Sequence, residues 1–145
     1  MRIFLGGTCA SSDWRAELIS KLNKDIEYFN PVVKDWTPEC MKIEEQEKIK
    51  CDVHLYVITP QMKGVYSIAE LINDVHDINI KTYFCVLQNI DVDGEALSFG
   101  THEMKSLGAV AKMVLQHGGH VIKSLNMIDV AKIFNSAYNL ENHKN

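Results

Sequence analysis

The chain has 145 residues, 46% hydrophobic and 23% charged, with a net charge of −4. That suffices for one ordinary core and falls short of two, so a single domain over residues 1–145 is expected. No basic block attracts nucleic acid, no apolar run reaches membrane-spanning length, and the apolar start is too short for a signal peptide before it meets Gly6-Gly7, so neither nucleic acid nor membrane is an expected partner and the expected location is cytoplasmic.

Residues 2–6 read as a first strand that runs into Gly6-Gly7-Thr8-Cys9-Ala10-Ser11-Ser12-Asp13, a loop of small and hydroxylated residues. Trp14, Leu18, Ile19 and Leu22 then recur at helical spacing. Ser11, Ser12 or Asp13 can cap that helix, and the glycines let backbone approach a ligand whose oxygens Gly6, Gly7, Thr8 and Ser11 could hold. The pattern is neither a Walker loop nor G-x-G-x-x-G, and an ordinary tight turn accounts for it equally well. A second strand over 26–29 stops at Asn30-Pro31, again with a polar residue at its end. Residues 32–39 read as a loop carrying Trp36. The run Met41–Lys50 reads as a mostly solvated helix, with Glu44, Glu45 and Glu47 on its surface.

The central stretch begins at Asp52. Val53–Ile58 is rich in β-branched and aromatic residues and is cut off by Thr59-Pro60, so it reads as a buried third strand. A loop with Lys63-Gly64 leads to a helix whose apolar stripe is Ile68, Leu71, Ile72 and Val75. Glu70 is expected in its first turn. Ser67-x-x-Glu70 has the form of a capping box, which is one account of the glutamate. The other is functional: the helix dipole favours an anion there, and an ionised carboxylate suits a nucleophile.

Residues 82–87 read as a fourth strand, 90–102 as a loop, 104–117 as a helix ended by Gly118-Gly119, 120–122 as a short fifth strand, and 126 or 127 to 138 as a last helix. That helix is expected to turn Ile128, Ala131, Ile133, Phe134 and Ala137 inward, ahead of a frayed tail. Strands alternating with helices argue for an α/β fold: a five-stranded parallel sheet in the flavodoxin-like order 2-1-3-4-5, helices on both faces. In that order the first and third strands are neighbours, which brings the Gly6–Ser12 loop beside Thr59–Glu70 at the switch point. The four cysteines lack C-x-x-C spacing and the six histidines lack H-E-x-x-H, so neither a metal nor a cofactor is expected.

The opening IFLGGT, the FNP at 29–31, the strand introduced by Asp52 and SIAEL at the end of the following loop resemble the nucleoside 2-deoxyribosyltransferase-like proteins in order and spacing. The resemblance implies a small-molecule nucleoside or nucleotide substrate, Glu70 as the nucleophile on C1′ of the sugar, and a pocket formed by the first glycine turn, Asn30 and Ser67. It also implies a homo-oligomer whose neighbouring subunit closes the pocket. Asp52 would orient groups at the pocket floor, although its place at the amino end of a strand suits a structural role as well. The activity implied is N-glycosidic bond transfer or hydrolysis through a glycosyl-glutamate. The same fold and pocket also suit a catalytically inactive module that binds nucleotides or nucleotide-derived signals. A receiver domain is disfavoured, because the first turn lacks the acidic pair its metal would need.

Overall fold

A computed structural model describes residues 1–9, 12–124 and 126–144. Its elements are β1 (Arg2–Gly7), α1 (Trp14–Lys21), β2 (Glu27–Phe29), α2 (Pro38–Ile49), β3 (Val53–Ile58), α3 (Tyr66–Val75), β4 (Lys81–Val86), β5 (Asn89–Val92), β6 (Glu95–Ser98), α4 (Thr101–Gln116), β7 (His120–Ile122) and α5 (Met127–Asn142). The main sheet is all parallel in the order β2-β1-β3-β4-β7, the expected flavodoxin-like layout.

Strand pleating sorts the core into two layers. Ile3 and Leu5 of β1 and Val53, Leu55 and Val57 of β3 point to the face covered by α1 and α5, where they meet Trp14, Leu18, Val130 and Phe134. Phe4, Tyr56 and Ile58 point the other way, toward Leu71 and Val75 of α3 and Leu107 and Val114 of α4. All six residues of β3 are buried, as its position in mid-sheet requires. Cys51 and Cys85 are buried too, and burial pushes their thiols up to about 11 and about 12.

The elements depart from expectation in several places. Residues 90–102 are not wholly loop: β5 and β6 form an antiparallel hairpin around Asp93-Gly94, both at positive φ (53° and 83°), as a two-residue turn of this type demands. The D-G signal is in the sequence, but β6 is exposed along its whole length, so no apolar alternation accompanies it. Helix α2 starts at Pro38, three residues early, because proline is favoured in a first turn and the Thr37 side chain caps the helix by accepting from Cys40 N–H. Helix α5 runs on to Asn142, so the expected frayed tail is largely helical, and it buries Met127, Val130, Ala131 and Phe134, leaving Ile128 and Ile133 exposed. Finally, α1 starts after Asp13 with no side-chain cap bond. Among the described residues no helix is long and apolar enough to cross a membrane.

Candidate functional site

A cleft of about 830 Å³ opens at the carboxyl edge of the sheet, where β1 and β3 lie side by side. Gly6, Gly7 and Thr8 form one wall with Phe4 and Arg15, Ser67 and Glu70 of α3 stand opposite, and Glu44, Glu45 and Lys48 of α2 close a third side. Pro31, Val32, Val33, Trp36, Met41 and Tyr66 give it an apolar rim.

The first wall is held rigidly. Gly7 has φ +114°, and a Cβ there would stand 2.0 Å from the Val57 carbonyl oxygen, so only glycine fits against β3. The Thr8 N–H donates to that same carbonyl at 2.9 Å, and the Thr8 hydroxyl oxygen accepts from the Thr59 N–H at 2.9 Å. Thr8 is thus buried and already engaged in tying the two loops together. Arg15, buried in the first turn of α1, donates to the carbonyls of Leu5 (2.9 Å), Thr8 (2.6 Å) and Gly7 (3.3 Å), and Trp14 Nε1 adds a second bond to Thr8. Burial pulls the Arg15 pKa down from its ordinary value. Nothing in the sequence around Trp14-Arg15 sets this guanidinium apart from a surface one.

Glu70 does not sit in the first turn of α3. The helix begins at Tyr66 with Val65 at the cap position and no side-chain cap bond, which puts Ser67 inside the helix and Glu70 one turn further on. The capping box is therefore not formed. Glu70 Oε1 instead lies 3.1 Å from Lys48 Nζ and accepts a charge-assisted hydrogen bond from it. Lys48 Nζ also stands 3.0 Å from Asp74 Oδ2, and 4.9 Å and 5.5 Å from the ring centres of Phe4 and Tyr56. Asp74 in turn gathers His54 Nδ1 at 2.8 Å and the Tyr56 hydroxyl, both from β3. His54 Nε2 meets the Lys48 carbonyl oxygen at 3.1 Å. A continuous polar chain thus runs from the strand core through Asp74 and Lys48 to Glu70.

The charges set one another. Burial drives the Asp74 carboxyl upward, but hydrogen bonds from His54 and Tyr56 and the Lys48 charge outweigh it and hold the pKa below the usual aspartate value. Burial, then the Asp74 carboxylate, pushes the Tyr56 hydroxyl strongly up, so it remains a donor. Burial, then the neighbouring Glu70 charge, raises the Glu44 carboxyl.

Of the remaining sequence candidates, Asn30 is not among the cleft-lining residues: its Oδ1 accepts from Val32 N–H at 3.0 Å and shapes the turn that presents Pro31 and Val32. Asp52 is at the opposite edge, where Oδ1 accepts from Arg2 N–H at 2.7 Å, so the strand polarity places it away from the cleft floor. Ser11 lies outside the described residues. The charged run of α2, read as surface, is divided. Glu47 pairs with Arg2 and Lys50, while Glu44, Glu45 and Lys48 face the cleft. The sequence signal for Asp74 is partial: Glu70 and Asp74 are one helical turn apart on one face, and His54 and Tyr56 are two apart on a buried strand, but neither spacing says that the two faces meet. Among the described residues no group of three His, Cys, Asp or Glu side chains is placed to hold a metal.

No curated protein and no solved structure matches the chain. A family model described as nucleoside 2-deoxyribosyltransferase like does match, over residues 1–88, a span that contains both strands of the cleft, Lys48, Glu70 and Asp74. With more than half its length matched, and the parallel sheet and β1/β3 cleft in place, the chain belongs to the nucleoside 2-deoxyribosyltransferase-like family.

Proposed function

We propose that this protein transfers or hydrolyses the N-glycosidic bond of a (deoxy)nucleoside or nucleotide through a covalent glycosyl-Glu70 intermediate. The observation that carries the reading is the Glu70 carboxylate lining the cleft with one oxygen on Lys48 at 3.1 Å, across from the glycine turn of β1. A cleft of about 830 Å³ suits a ligand of this size. Trp36 and Tyr66 supply aromatic surface for a base, and the backbone around Gly6 and Gly7 approaches closely enough to meet a sugar. Glu70 attacks C1′ as the base departs, through an oxocarbenium-like transition state, and a second base or water then takes the sugar. The Lys48 ammonium stabilises Glu70 as the leaving carboxylate of that second half-reaction. Val65 and Tyr66 stand exposed, Tyr66 on the cleft's rim, and support closure by a second copy of the chain in a cytoplasmic homo-oligomer.

The ion pair also favours a second reading, a catalytically inactive nucleotide or nucleotide-signal binding module, because an ammonium against a carboxylate lowers its nucleophilicity. Glu70→Gln separates the two. The amide keeps size and an acceptor for Lys48, so fold and ligand affinity persist while base release falls by orders of magnitude. Denaturing mass spectrometry of the wild type with a deoxynucleoside should trap a deoxyribosyl adduct on Glu70. A wild type that binds a nucleoside and releases no base from any common nucleoside or nucleotide establishes the binding module instead.

A further inference from the structure

Among the described residues, the acidic side chains that line the cleft are Glu44, Glu45 and Glu70. Glu70 is paired with Lys48, and Glu45 is exposed. Glu44 differs from both: it is partly buried, and among the described residues its carboxyl makes no hydrogen bond and no ion pair. Lys48 lies one turn further along the same helix, at the spacing where a glutamate and a lysine normally pair. Its ammonium is drawn away to Glu70 and Asp74, however, and Glu44 is left facing the cleft alone.

We propose that Glu44 is the acid that protonates the departing base, a role that rests on the reading of Glu70 as the nucleophile. A Glu70 carboxylate oxygen forms a bond to C1′ while the bond from C1′ to the base nitrogen breaks. Its electron pair moves onto the base, and the Glu44 carboxyl proton passes to a ring nitrogen or carbonyl oxygen of the base. A neutral base leaves and Glu44 becomes a carboxylate. When a second base or water attacks C1′, Glu44 takes up the proton released and Glu70 departs as a carboxylate.

The surroundings support this division of labour. Burial and the Glu70 charge raise the Glu44 carboxyl above its ordinary value, Glu45 adds to them, and Lys48 and Arg15 act in the opposite sense. Lys63, from the loop after β3, is the other charged group on the cleft wall. Two carboxyls whose environments differ in this way, one held by a cation and one unpartnered, suit a nucleophile and an acid respectively.

The test compares kcat/KM for the wild type, Glu44→Gln and Glu70→Gln on two substrates: a natural deoxynucleoside, whose base must be protonated, and 4-nitrophenyl 2-deoxyriboside, whose leaving group needs no proton. Glu44→Gln should lose about 10²–10⁴-fold on the deoxynucleoside and change little on the nitrophenyl substrate, with the alkaline limb of the deoxynucleoside pH profile abolished. Glu70→Gln should lose both reactions. Full activity of Glu44→Gln on the deoxynucleoside, or equal loss on both substrates, overturns the role of Glu44 while leaving Glu70 standing. A Glu70→Gln variant that retains activity overturns the nucleophile instead, and a wild type that cleaves neither substrate overturns both.

Discussion

Asp74→Ala should be among the most destabilising single changes in this protein, and the structure says roughly by how much. The carboxylate is 5% exposed and holds three donors: His54 Nδ1 at 2.8 Å, Lys48 Nζ at 3.0 Å and the Tyr56 hydroxyl. Truncation strands a fully buried tyrosine hydroxyl and a buried imidazole, and leaves Lys48 with Glu70 alone. Breaking one partner of a buried ion pair costs about 3–5 kcal/mol. The orphaned donors cost about 1–3 kcal/mol each in isolation, but this overlaps with the first term and is not added to it. At about 2–4 °C per kcal/mol for a chain near this size, the melting temperature should fall by about 6–20 °C. Asp74→Asn, which keeps shape and one acceptor, should lose less than half as much. Urea denaturation measures both, provided the m-value is unchanged. The sign of the pH dependence follows from the lowered folded-state pKa of Asp74. Its contribution is fully present above the unfolded aspartate value near 3.9 and is lost as the pH falls through the folded value, so the gap between wild type and Asp74→Asn should hold steady from about pH 7 to 5 and close in acid. An Asp74→Ala cost under about 1 kcal/mol would refute the account of this network as buried and mutually satisfied.

Thr8→Val removes the acceptor of the buried Thr59 N–H and should cost about 1–3 kcal/mol by thermal or urea melts, with a smaller effect on nucleoside affinity. Gly7→Ala should abolish soluble folded protein or lower its melting point steeply, because the new methyl would meet the Val57 carbonyl oxygen at 2.0 Å and the residue would be held at φ +114°. Asp52→Ala should cost about 1 kcal/mol through the lost bond from Arg2 N–H and leave nucleoside affinity by calorimetry unchanged, since it lies at the far edge of the sheet.

The fold was legible because it rests on local signals that agree. Val53–Ile58 is apolar enough to require mid-sheet burial, and the glycine turn and the Thr59-Pro60 stop mark the carboxyl ends of two strands that the order β2-β1-β3-β4-β7 makes neighbours. Burial of β3 on both faces concealed the part that mattered for the site. In VHLYVI, His54 and Tyr56 look like tolerated members of an apolar run, and nothing local says which helix face they will meet. On α2 the difficulty is one of angle: Glu47 and Lys48 are adjacent in sequence but about 100° apart around the axis, so one reaches Arg2 and the other Asp74 and Glu70. The charged run could be recognised as a helix, but which of its charges met water depended on how it docked over the sheet.

That docking gives the buried network a meaning that stability alone does not supply. Apolar side chains at positions 48, 54, 56 and 74 together could hold β3 against α2 and α3, since buried ionic clusters replaced as a whole can often be exchanged for hydrophobic ones without loss. What an apolar set would not do is present an ammonium to the cleft. His54 and Tyr56 anchor Asp74 from the strand, Asp74 anchors Lys48, and the bond from His54 Nε2 to the Lys48 carbonyl ties the α2 backbone at that residue to the same strand. Lys48 then has one remaining direction in which to act, toward Glu70, and in reaching it leaves Glu44 without a cation. The core polar residues thus determine, through a single lysine, which carboxyl on the cleft wall is paired with a cation and which is left without an ion pair.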